Sequence, residues 1–270
     1  LQRSADVIGE RLGYPLRLVR IADLDTTRDR GVDLAGIRFD SDGAGLVADP
    51  AVDIVVELIG GYDVARRFML TAIENGKHVV TANKALLAAH GKQIFEAAAQ
   101  KGVDVAFEAS VGGGIPILRA LREGLAANRI LSLHGIINGT TNYILTEMEQ
   151  TGAAFETVLK RAQELGYAEL DPSFDVDGID AAHKLTLLAS MAFGAELTYK
   201  EVPTEGIRGI TPTDFESAAE FGYRIKLLGI AKSRLSTGGI QRIEARVHPT
   251  MIPDTSLLAK VDGAMNAIAV

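Results

Sequence analysis

The sequence contains no cysteine among its 270 residues. This absence excludes disulfide bonds, cysteine-based zinc sites and thiol nucleophiles together, and it agrees with a reducing cytoplasm, where we expect the protein to be located. No apolar run is long enough to span a bilayer, and the N-terminus has no signal-peptide pattern. Because the net charge is −7, nucleic acids and anionic membranes are not expected partners, since both attract clustered lysine and arginine. We expect the partner to be a small molecule.

A glycine-rich G-x-G-x-x-G fingerprint is also absent, although the first third of the chain alternates strand-like and helix-like segments. The strand-like segments are 16–24, 52–60, 77–82 and 103–109, and the helix-like segments are 64–76 and 83–102. This alternation predicts an α/β fold with a Rossmann-like, doubly wound parallel sheet. The first residues resemble the end of an amphipathic helix. We therefore expect the sheet to be incomplete, without its first strand and glycine-rich loop.

The pattern changes after the glycine-rich run at 111–116. Helix-like segments follow near 140–150, 154–165 and 178–193, together with strand-like segments at 129–138, 224–233, 241–249 and 266–270. This order is typical of an α+β domain with helices packed on one face of a mixed sheet. We predict a nucleotide-binding domain over residues 1–114 and an α+β catalytic and dimerisation domain over residues 115–270.

The block GYAELDPSFDVDGIDAAHK at 166–184 concentrates charged residues just before an apolar helix. Asp180 and Lys184 are four residues apart and share one face of a helix, while Glu169 in the preceding loop can fold back toward them. Two carboxylates and an amine suit a charged substrate that reacts at a carbonyl, which indicates an enzyme. An alternative is that Asp177 caps the helix and that Asp180 and Lys184 form an ordinary surface pair worth ~0.3–0.5 kcal/mol.

Open α/β sheets bind ligands beyond the carboxyl ends of their strands, and a dinucleotide is the usual ligand. Gly60 and Thr81 lie at two of these predicted ends, and Lys84 follows closely, so we predict that these three residues bind the cofactor. Asp23 can accept a hydrogen bond from a ribose 2′-hydroxyl, which favours NAD. Arg28 and Arg30 can instead bind a 2′-phosphate, which favours NADP, so the preference between the two cofactors stays open.

Several motifs, in the same order along nearly the whole chain, resemble those of homoserine dehydrogenases. They are VVELIGG (55–61), HVVTANKALL (78–87), FEASVGGGIPI (107–117), INGTTNYIL (137–145), GYAELDPSFDVDGIDAAHKL (166–185) and VHPTMIP (247–253). The resemblance implies a homodimeric enzyme that uses NAD or NADP to interconvert L-homoserine and L-aspartate 4-semialdehyde. This reaction belongs to the biosynthesis of threonine, isoleucine and methionine.

The resemblance also implies roles for individual residues. Lys184 is expected to act as the acid/base, Asp180 to assist it, and Lys84 to lie between the nicotinamide and the substrate. Glu169 is expected to hold the substrate, and Thr141 is a secondary substrate-binding candidate. The residues themselves leave other interpretations open. A lysine in the first turn of a helix, such as Lys84, hints at a bound anion but is little evidence alone. Asn138–Tyr143 also fits a simple helix start that Thr140 or Thr141 caps.

A sodium site is implied in the same way, formed by Glu108 with the backbone carbonyls of Val111, Gly113 and Ile115. Taken alone, a carboxylate such as Glu108 at a strand end usually caps a neighbouring helix or is solvated. The sodium ion is expected to be structural.

The sequence departs from the family at both ends, because the glycine loop, the C-terminal segment that completes the nucleotide domain and an ACT-type regulatory region are not found. Two alternatives to homoserine dehydrogenase activity follow. One is another Rossmann oxidoreductase that acts on a related amino-acid aldehyde. The other is a truncated, catalytically silent protein that only dimerises.

Overall fold

The computed structural model describes residues 1–270, which divide into two compact units. The first unit comprises residues 1–80 and 92–106, and the second comprises residues 81–91 and 107–270. The predicted division after residue 114 places 81–91 and 107–114 in the nucleotide-binding domain, whereas their contacts group them with the second unit. The segment 81–91 carries Lys84, so this residue lies in the same unit as Lys184.

The first unit alternates short parallel strands with helices, which confirms the predicted α/β class. Its elements are α1 (Ala5–Leu12), β1 (Arg20–Ala22), β2 (Arg38–Asp40), α2 (Gly43–Ala48), β3 (Ile54–Glu57), α3 (Asp63–Glu74), β4 (His78–Thr81), the C-terminal half of α4 (Lys84–Lys101) and β5 (Val105–Ala106). β1 pairs with β2 in parallel, and a second sheet has the order β3-β4-β5, in which β4 and β5 are parallel. The sequence did not predict β2 and α2, which are too short for a clear periodicity.

The helix predicted over 83–102 is interrupted at His90, where the backbone leaves helical geometry with φ −134° and ψ 15°. The two halves of α4 therefore belong to different units, because the division falls between Gly91 and Lys92. The N-terminal half begins at Lys84 and is the part that contributes to the site described below.

A buried arginine holds the two strands of the smaller sheet to α2. The Arg20 side chain is only 4% exposed and forms ion pairs with Asp40, Asp42 and Asp49 at 3.1, 3.2 and 3.3 Å. Asp42 also caps α2, since its carboxylate accepts the Gly45 N–H at 2.7 Å. Three carboxylates thus compensate one buried guanidinium, as a buried charge requires.

The second unit is built on a four-stranded sheet. Its elements are α5 (Ile117–Arg119), β6 (Ser132–Ile136), α6 (Gly139–Thr151), α7 (Phe155–Glu164), α8 (Ser173–Val176), α9 (Ile179–Phe193), α10 (Pro212–Glu220), β7 (Tyr223–Leu235), β8 (Gln241–Pro253) and β9 (Ala267–Ala269). The strand order is β8-β7-β6-β9. The predicted mixed sheet is wrong, because all three pairings are antiparallel. A short turn joins β7 to β8, which forces these two strands to run in opposite directions.

Helix α9 packs closely across this sheet at Gly229 in β7. A Cβ atom at this glycine would lie 3.1 Å from Ile137 Cδ1 and 3.3 Å from Leu185 Cδ1. Leu185 and Leu188 on α9 are fully buried. The close approach places the first turns of α9 beside the end of β6.

A polar network fixes the segment before β9. The buried ammonium group of Lys226 donates to the Val261 carbonyl at 2.7 Å and pairs with Asp262 at 3.0 Å. Asn142 Nδ2 on α6 donates to the carbonyls of Val261, Gly263 and Met265 at 3.0, 2.9 and 3.2 Å. The N-terminal half of α6 is thereby anchored to this segment. None of the helices in either unit combines the length and apolar character needed to cross a bilayer.

Candidate active site

Helix α9 carries the predicted catalytic pair, and a glycine sets where the helix begins. Gly178 is the N-cap, with φ +81° in the left-handed region that favours glycine, and α9 starts at Ile179. Asp180 therefore lies in the first turn, where the helix dipole stabilises a negative charge. The interpretation of Asp177 as the cap is wrong, because its carboxylate accepts a hydrogen bond from Arg208 Nε at 2.6 Å.

Asp180 is the centre of a buried charge cluster. Its side chain is 4% exposed, and its carboxylate lies 2.7 Å from Lys184 Nζ and 3.0 Å from Lys84 Nζ. Asn138 Nδ2 donates a third hydrogen bond at 2.8 Å. Burial alone would raise the pKa of Asp180, but the charges of Lys184 and Lys84 and the hydrogen bonds from Lys184 and Asn138 outweigh it and lower this pKa. The alternative of an ordinary surface pair is excluded by this burial.

Lys184 is held by two of the three hydrogens on its ammonium group. One is donated to Asp180 at 2.7 Å, and another to the carbonyl of Ile137 at 2.9 Å. An ammonium group has three N–H donors, so one remains for a ligand. The Lys184 side chain is 16% exposed to solvent. Lys184 is thus fixed in position and still able to donate.

Lys84 is the first residue of α4, where Asn83 caps the helix by accepting the Leu86 N–H at 3.1 Å. A positive charge is unfavourable at this end of a helix, and the structure shows that the carboxylate of Asp180 compensates it. The ammonium nitrogen of Lys84 also lies 5.8 Å from the centre of the Phe174 ring, within range of a cation–π interaction. Two of its N–H donors are not used by Asp180.

The sequence did not point to Asn138 and Asp175 as members of the cluster. Asn138 caps α6 and donates to Asp175 Oδ1 at 2.6 Å as well as to Asp180. An asparagine before a helix signals an N-cap, but no local pattern reveals what its amide contacts 37 and 42 residues later. This stretch does begin a capped helix, but the cap is Asn138 and not Thr140 or Thr141 as predicted. Thr141 is buried and donates its hydroxyl hydrogen to Asn138.

Glu169 is exposed and forms no ion pair with Lys84 or Lys184 in the structure. Its backbone carbonyl accepts a hydrogen bond from Gln163 Nε2 at 3.0 Å, and the Leu170 carbonyl accepts a second one at 3.3 Å. The loop carrying Glu169 is therefore held through its backbone, while the carboxylate stays available to a ligand.

His183 lies next to Lys184 on α9 and is buried between two aromatic rings. Its ring centre is 5.5 Å from that of Phe174 and 4.4 Å from that of Tyr199. Burial, and secondarily the charge of Lys84, lower its pKa against the attraction of Asp180. Its ring contacts therefore pack α9 against Phe174 and Tyr199.

The residues predicted to bind the cofactor lie in both units. In the first unit, the turn after β3 contains Gly60 and Gly61, with φ +77° and +68°, and the space beside each Cα is open. Such a turn lets a ligand approach the backbone closely. In the second unit, Thr81 is buried and its hydroxyl oxygen accepts the Asn83 N–H at 2.9 Å, so it orders the turn that leads to Lys84.

The two opposing signals for cofactor preference contact each other. Arg30 Nη2 pairs with Asp23 Oδ2 at 2.8 Å, and the Arg30 guanidinium also lies 5.0 Å from the centre of the Phe39 ring. The pKa of Asp23 is lowered first by the hydrogen bond from the Asp25 N–H and then by Arg30. Arg28 forms no ion pair with Asp23; its backbone N–H instead donates to Asp25 at 3.1 Å.

At the predicted sodium site, Glu108 caps α5: its two carboxylate oxygens accept the N–H groups of Leu118 and Arg119 at 2.9 and 3.1 Å. Each carboxylate oxygen retains acceptor capacity, because it can accept more than one hydrogen bond or cation contact. The loop turns at Gly113 with φ +60°, and the Ile115 carbonyl accepts the Ile117 N–H at 2.8 Å. Carbonyl and carboxylate oxygens are suitable donors for a hard cation.

Comparisons with known proteins match both parts of the chain. The family model described as homoserine dehydrogenase matches residues 116–270, and the model described as homoserine dehydrogenase, NAD binding domain, matches residues 1–108. A homoserine dehydrogenase from Pseudomonas aeruginosa is 53% identical over 270 residues, covering 100% of this chain and 61% of the relative. The chain thus spans about three fifths of the length of that curated relative.

Solved structures of homoserine dehydrogenases are also similar to this chain. The crystal structure of a homoserine dehydrogenase from Thiobacillus denitrificans superposes with a TM-score of 0.92 and 55% identity, covering 99% of this chain and 61% of that one. The S. aureus homoserine dehydrogenase at pH 7.5 gives a TM-score of 0.84 with 34% identity, covering 99% and 64% of the two chains.

Proposed function

Because this chain belongs to the homoserine dehydrogenase family, we propose that its protein interconverts L-homoserine and L-aspartate 4-semialdehyde with NAD or NADP. The reaction serves the biosynthesis of threonine, methionine and isoleucine. The observation that supports it most is the buried cluster in which Asp180 binds Lys184 and Lys84. Each lysine keeps at least one N–H that can donate a hydrogen bond to a carbonyl oxygen of the substrate.

The cluster suits the reduction of an aldehyde. A bound nicotinamide cofactor supplies the hydride, and negative charge then develops on the carbonyl oxygen of the substrate. The remaining N–H of Lys184 donates to this oxygen and transfers its proton as the alkoxide forms, so that the product is the alcohol. Lys84 adds a second positive charge beside the same oxygen. Asp180 holds both ammonium groups without reorganisation during the reaction.

The substrate also carries an α-ammonium group, which requires an anion. Glu169 provides an exposed carboxylate on a loop that Gln163 fixes through backbone carbonyls. Thr141 is a second candidate for substrate binding, acting from the buried start of α6. Gly60, Thr81 and Lys84 are proposed to contribute to cofactor binding, each within its own unit. Gly60 offers the open space beside its turn, Thr81 orders the turn before Lys84, and Lys84 offers a partly exposed ammonium group.

Cofactor preference provides a first prediction. Arg30 keeps N–H donors that Asp23 does not use and can bind a 2′-phosphate through them, whereas the carboxylate of Asp23 repels that phosphate. We expect Arg30→Ala to shift the ratio of kcat/KM values toward NAD by about tenfold, equivalent to about 1.4 kcal/mol. We expect Asp23→Ser to shift it toward NADP by a similar factor. Initial rates with both cofactors measure the ratio, and Arg3→Ala is an exposed control. Equal ratios in all four proteins would contradict this assignment.

We also propose that Glu108 and the carbonyls of Val111, Gly113 and Ile115 bind a structural sodium ion. Sodium chloride should then raise the melting temperature more than choline chloride at equal ionic strength, because the ion binds only the folded state. In Glu108→Gln, which retains one acceptor oxygen for capping α5, the two salts should act alike. Thermal unfolding followed by circular dichroism measures this. An equal response of the unaltered protein to both salts would count against the site.

We further propose that the protein is a cytoplasmic homodimer, as the family resemblance implies. The antiparallel sheet of the second unit is our candidate for the dimer contact, through β7 and β8. Sedimentation velocity tests the dimer directly, and a monomer at micromolar concentration would refute it.

The enzymatic assignment is tested by following the reduction of NAD and NADP by L-homoserine in the full-length protein. We expect cofactor reduction and the formation of aspartate 4-semialdehyde, identified by mass spectrometry. Reduction with another amino-acid alcohol but not with homoserine would favour the related oxidoreductase. Binding of neither cofactor and no turnover would favour the silent dimer.

A further inference from the structure

We propose that Asn138 is a positioning residue whose side-chain amide fixes the carboxylate of Asp180, and through it Lys184, in the geometry used for proton transfer. Asn138 does not contact the reacting atoms in this proposal. The kinetic part of the inference rests on the proposed function, whereas the contact with Asp180 is independent of any substrate.

All hydrogen-bonding capacity of the Asn138 amide is used. Its oxygen accepts the N–H of Thr141 at 2.8 Å and the hydroxyl of Thr141 at 2.9 Å. Its nitrogen donates to Asp180 at 2.8 Å and to Asp175 at 2.6 Å. Because a backbone N–H can only donate, the amide oxygen must face Thr141 and the nitrogen must face the carboxylates. The orientation of the amide is therefore determined by its partners.

The amide nitrogen bridges two carboxylates, that of the buried Asp180 and that of the half-buried Asp175. A neutral amide has two N–H donors, so it can satisfy one oxygen of each carboxylate without adding a charge. The charged groups that face Asp180 here are the ammonium groups of Lys184 and Lys84, and the ring of His183 interacts electrostatically with Asp180.

Asn138 is itself held rigidly, which a positioning residue requires. It directly follows Ile137, whose carbonyl accepts a hydrogen bond from Lys184 at 2.9 Å. The next residue, Gly139, packs so closely on the segment before β9 that an added Cβ would lie 2.8 Å from the carbonyl oxygen of Ala264. The two consecutive residues that follow β6 thus hold both members of the catalytic pair: Ile137 binds Lys184, and Asn138 binds Asp180.

Two substitutions separate this role from helix capping. Serine and aspartate are both good N-caps, so Asn138→Ser and Asn138→Asp should preserve α6. Neither side chain can donate to both carboxylates. We expect kcat for homoserine oxidation to fall about 10²-fold at neutral pH in both variants, the loss expected when a catalytic group is displaced by about 1 Å. The KM for the cofactor should be unchanged. Asn128→Ser, on an exposed asparagine, serves as the control.

The aspartate variant provides a signature that a purely structural residue would not give. When protonated, an aspartate at this position regains one donor, so kcat of Asn138→Asp should recover as the pH is lowered, unlike that of the serine variant. A second readout needs no turnover: in the substrate-free protein, carboxyl NMR should show Asp180 titrating at higher pH in Asn138→Ser than in the unaltered protein.

An unchanged titration of Asp180, or a serine variant with normal kcat, would overturn the proposal. Loss of cofactor affinity together with kcat would also overturn it, because it indicates general disruption. If the titration shifts but the unaltered protein does not oxidise homoserine, the positioning of Asp180 by Asn138 is supported and the proposed function fails.

Discussion

Lys184→Ala is expected to lower kcat for homoserine oxidation by about 10³-fold, because the variant loses both the proton carrier and a positive charge beside the reacting oxygen. The affinity for NAD and NADP should stay near normal, since Lys184 bonds only to Asp180 and Ile137 within the protein. Initial rates and cofactor fluorescence titrations measure the two quantities. Lys160→Ala, on the exposed face of α7, is the matched control.

Lys184→Arg separates chemistry from stability in the same experiment. Arginine keeps the positive charge next to Asp180, so the melting temperature should fall less than in the alanine variant. A guanidinium group does not release its proton in proteins, so kcat should stay low. An arginine variant with normal turnover would contradict the assignment of Lys184 as the acid.

Asp180→Asn is expected to lower kcat about 10²-fold, because Lys184 and Lys84 then face each other without an anion. It should also destabilise the fold by roughly 2 kcal/mol, less than the ~3–5 kcal/mol typical of a fully buried broken pair, since both lysines are partly exposed. Asp254→Asn, an exposed carboxylate after β8, is the control. Thermal unfolding and initial rates measure both effects.

The pH dependence of this stability difference has a definite sign. The pKa of Asp180 is lowered from its ordinary value of 3.8, so the ionised group stabilises the folded state. This contribution is complete above about pH 5 and is lost as the pH falls through the lowered pKa. The difference in unfolding free energy between the unaltered protein and Asp180→Asn should therefore be constant at neutral pH and shrink only in acid. A difference that disappears near neutrality would refute the ion-pair geometry.

Much of the fold follows from periodicity in the sequence. The strand at β3, the helices α3, α6, α7 and α9, and the long strands β7 and β8 carry clear apolar patterns that survive in the structure. β2 and α10 were not predicted, because short or weakly amphipathic segments have no distinct period. The direction of strands in the second sheet was wrong, since pairing is decided by chain connections rather than by local pattern.

The site was partly predictable for a similar reason. The spacing of Asp180 and Lys184 is a local property of one helix, and their ion pair follows from it. The ion pair of Lys84 with Asp180 joins residues 96 positions apart, and the contact of Asn138 with Asp180 spans 42. Such contacts depend on how β6, α4 and α9 pack, which no spacing rule contains. The two residues whose signals point to different cofactors, Asp23 and Arg30, form one ion pair in the structure, which sequence spacing alone did not reveal.

The most direct test of the role of Lys184 is chemical rescue of Lys184→Ala by small alkylamines of graded basicity. We predict that added amines restore homoserine oxidation, and that the logarithm of the restored rate rises with the pKa of the amine, as general acid–base catalysis requires. Alcohols of the same size should have no effect. Near-normal turnover of the variant without amine, or equal rescue by the alcohols, would contradict the account.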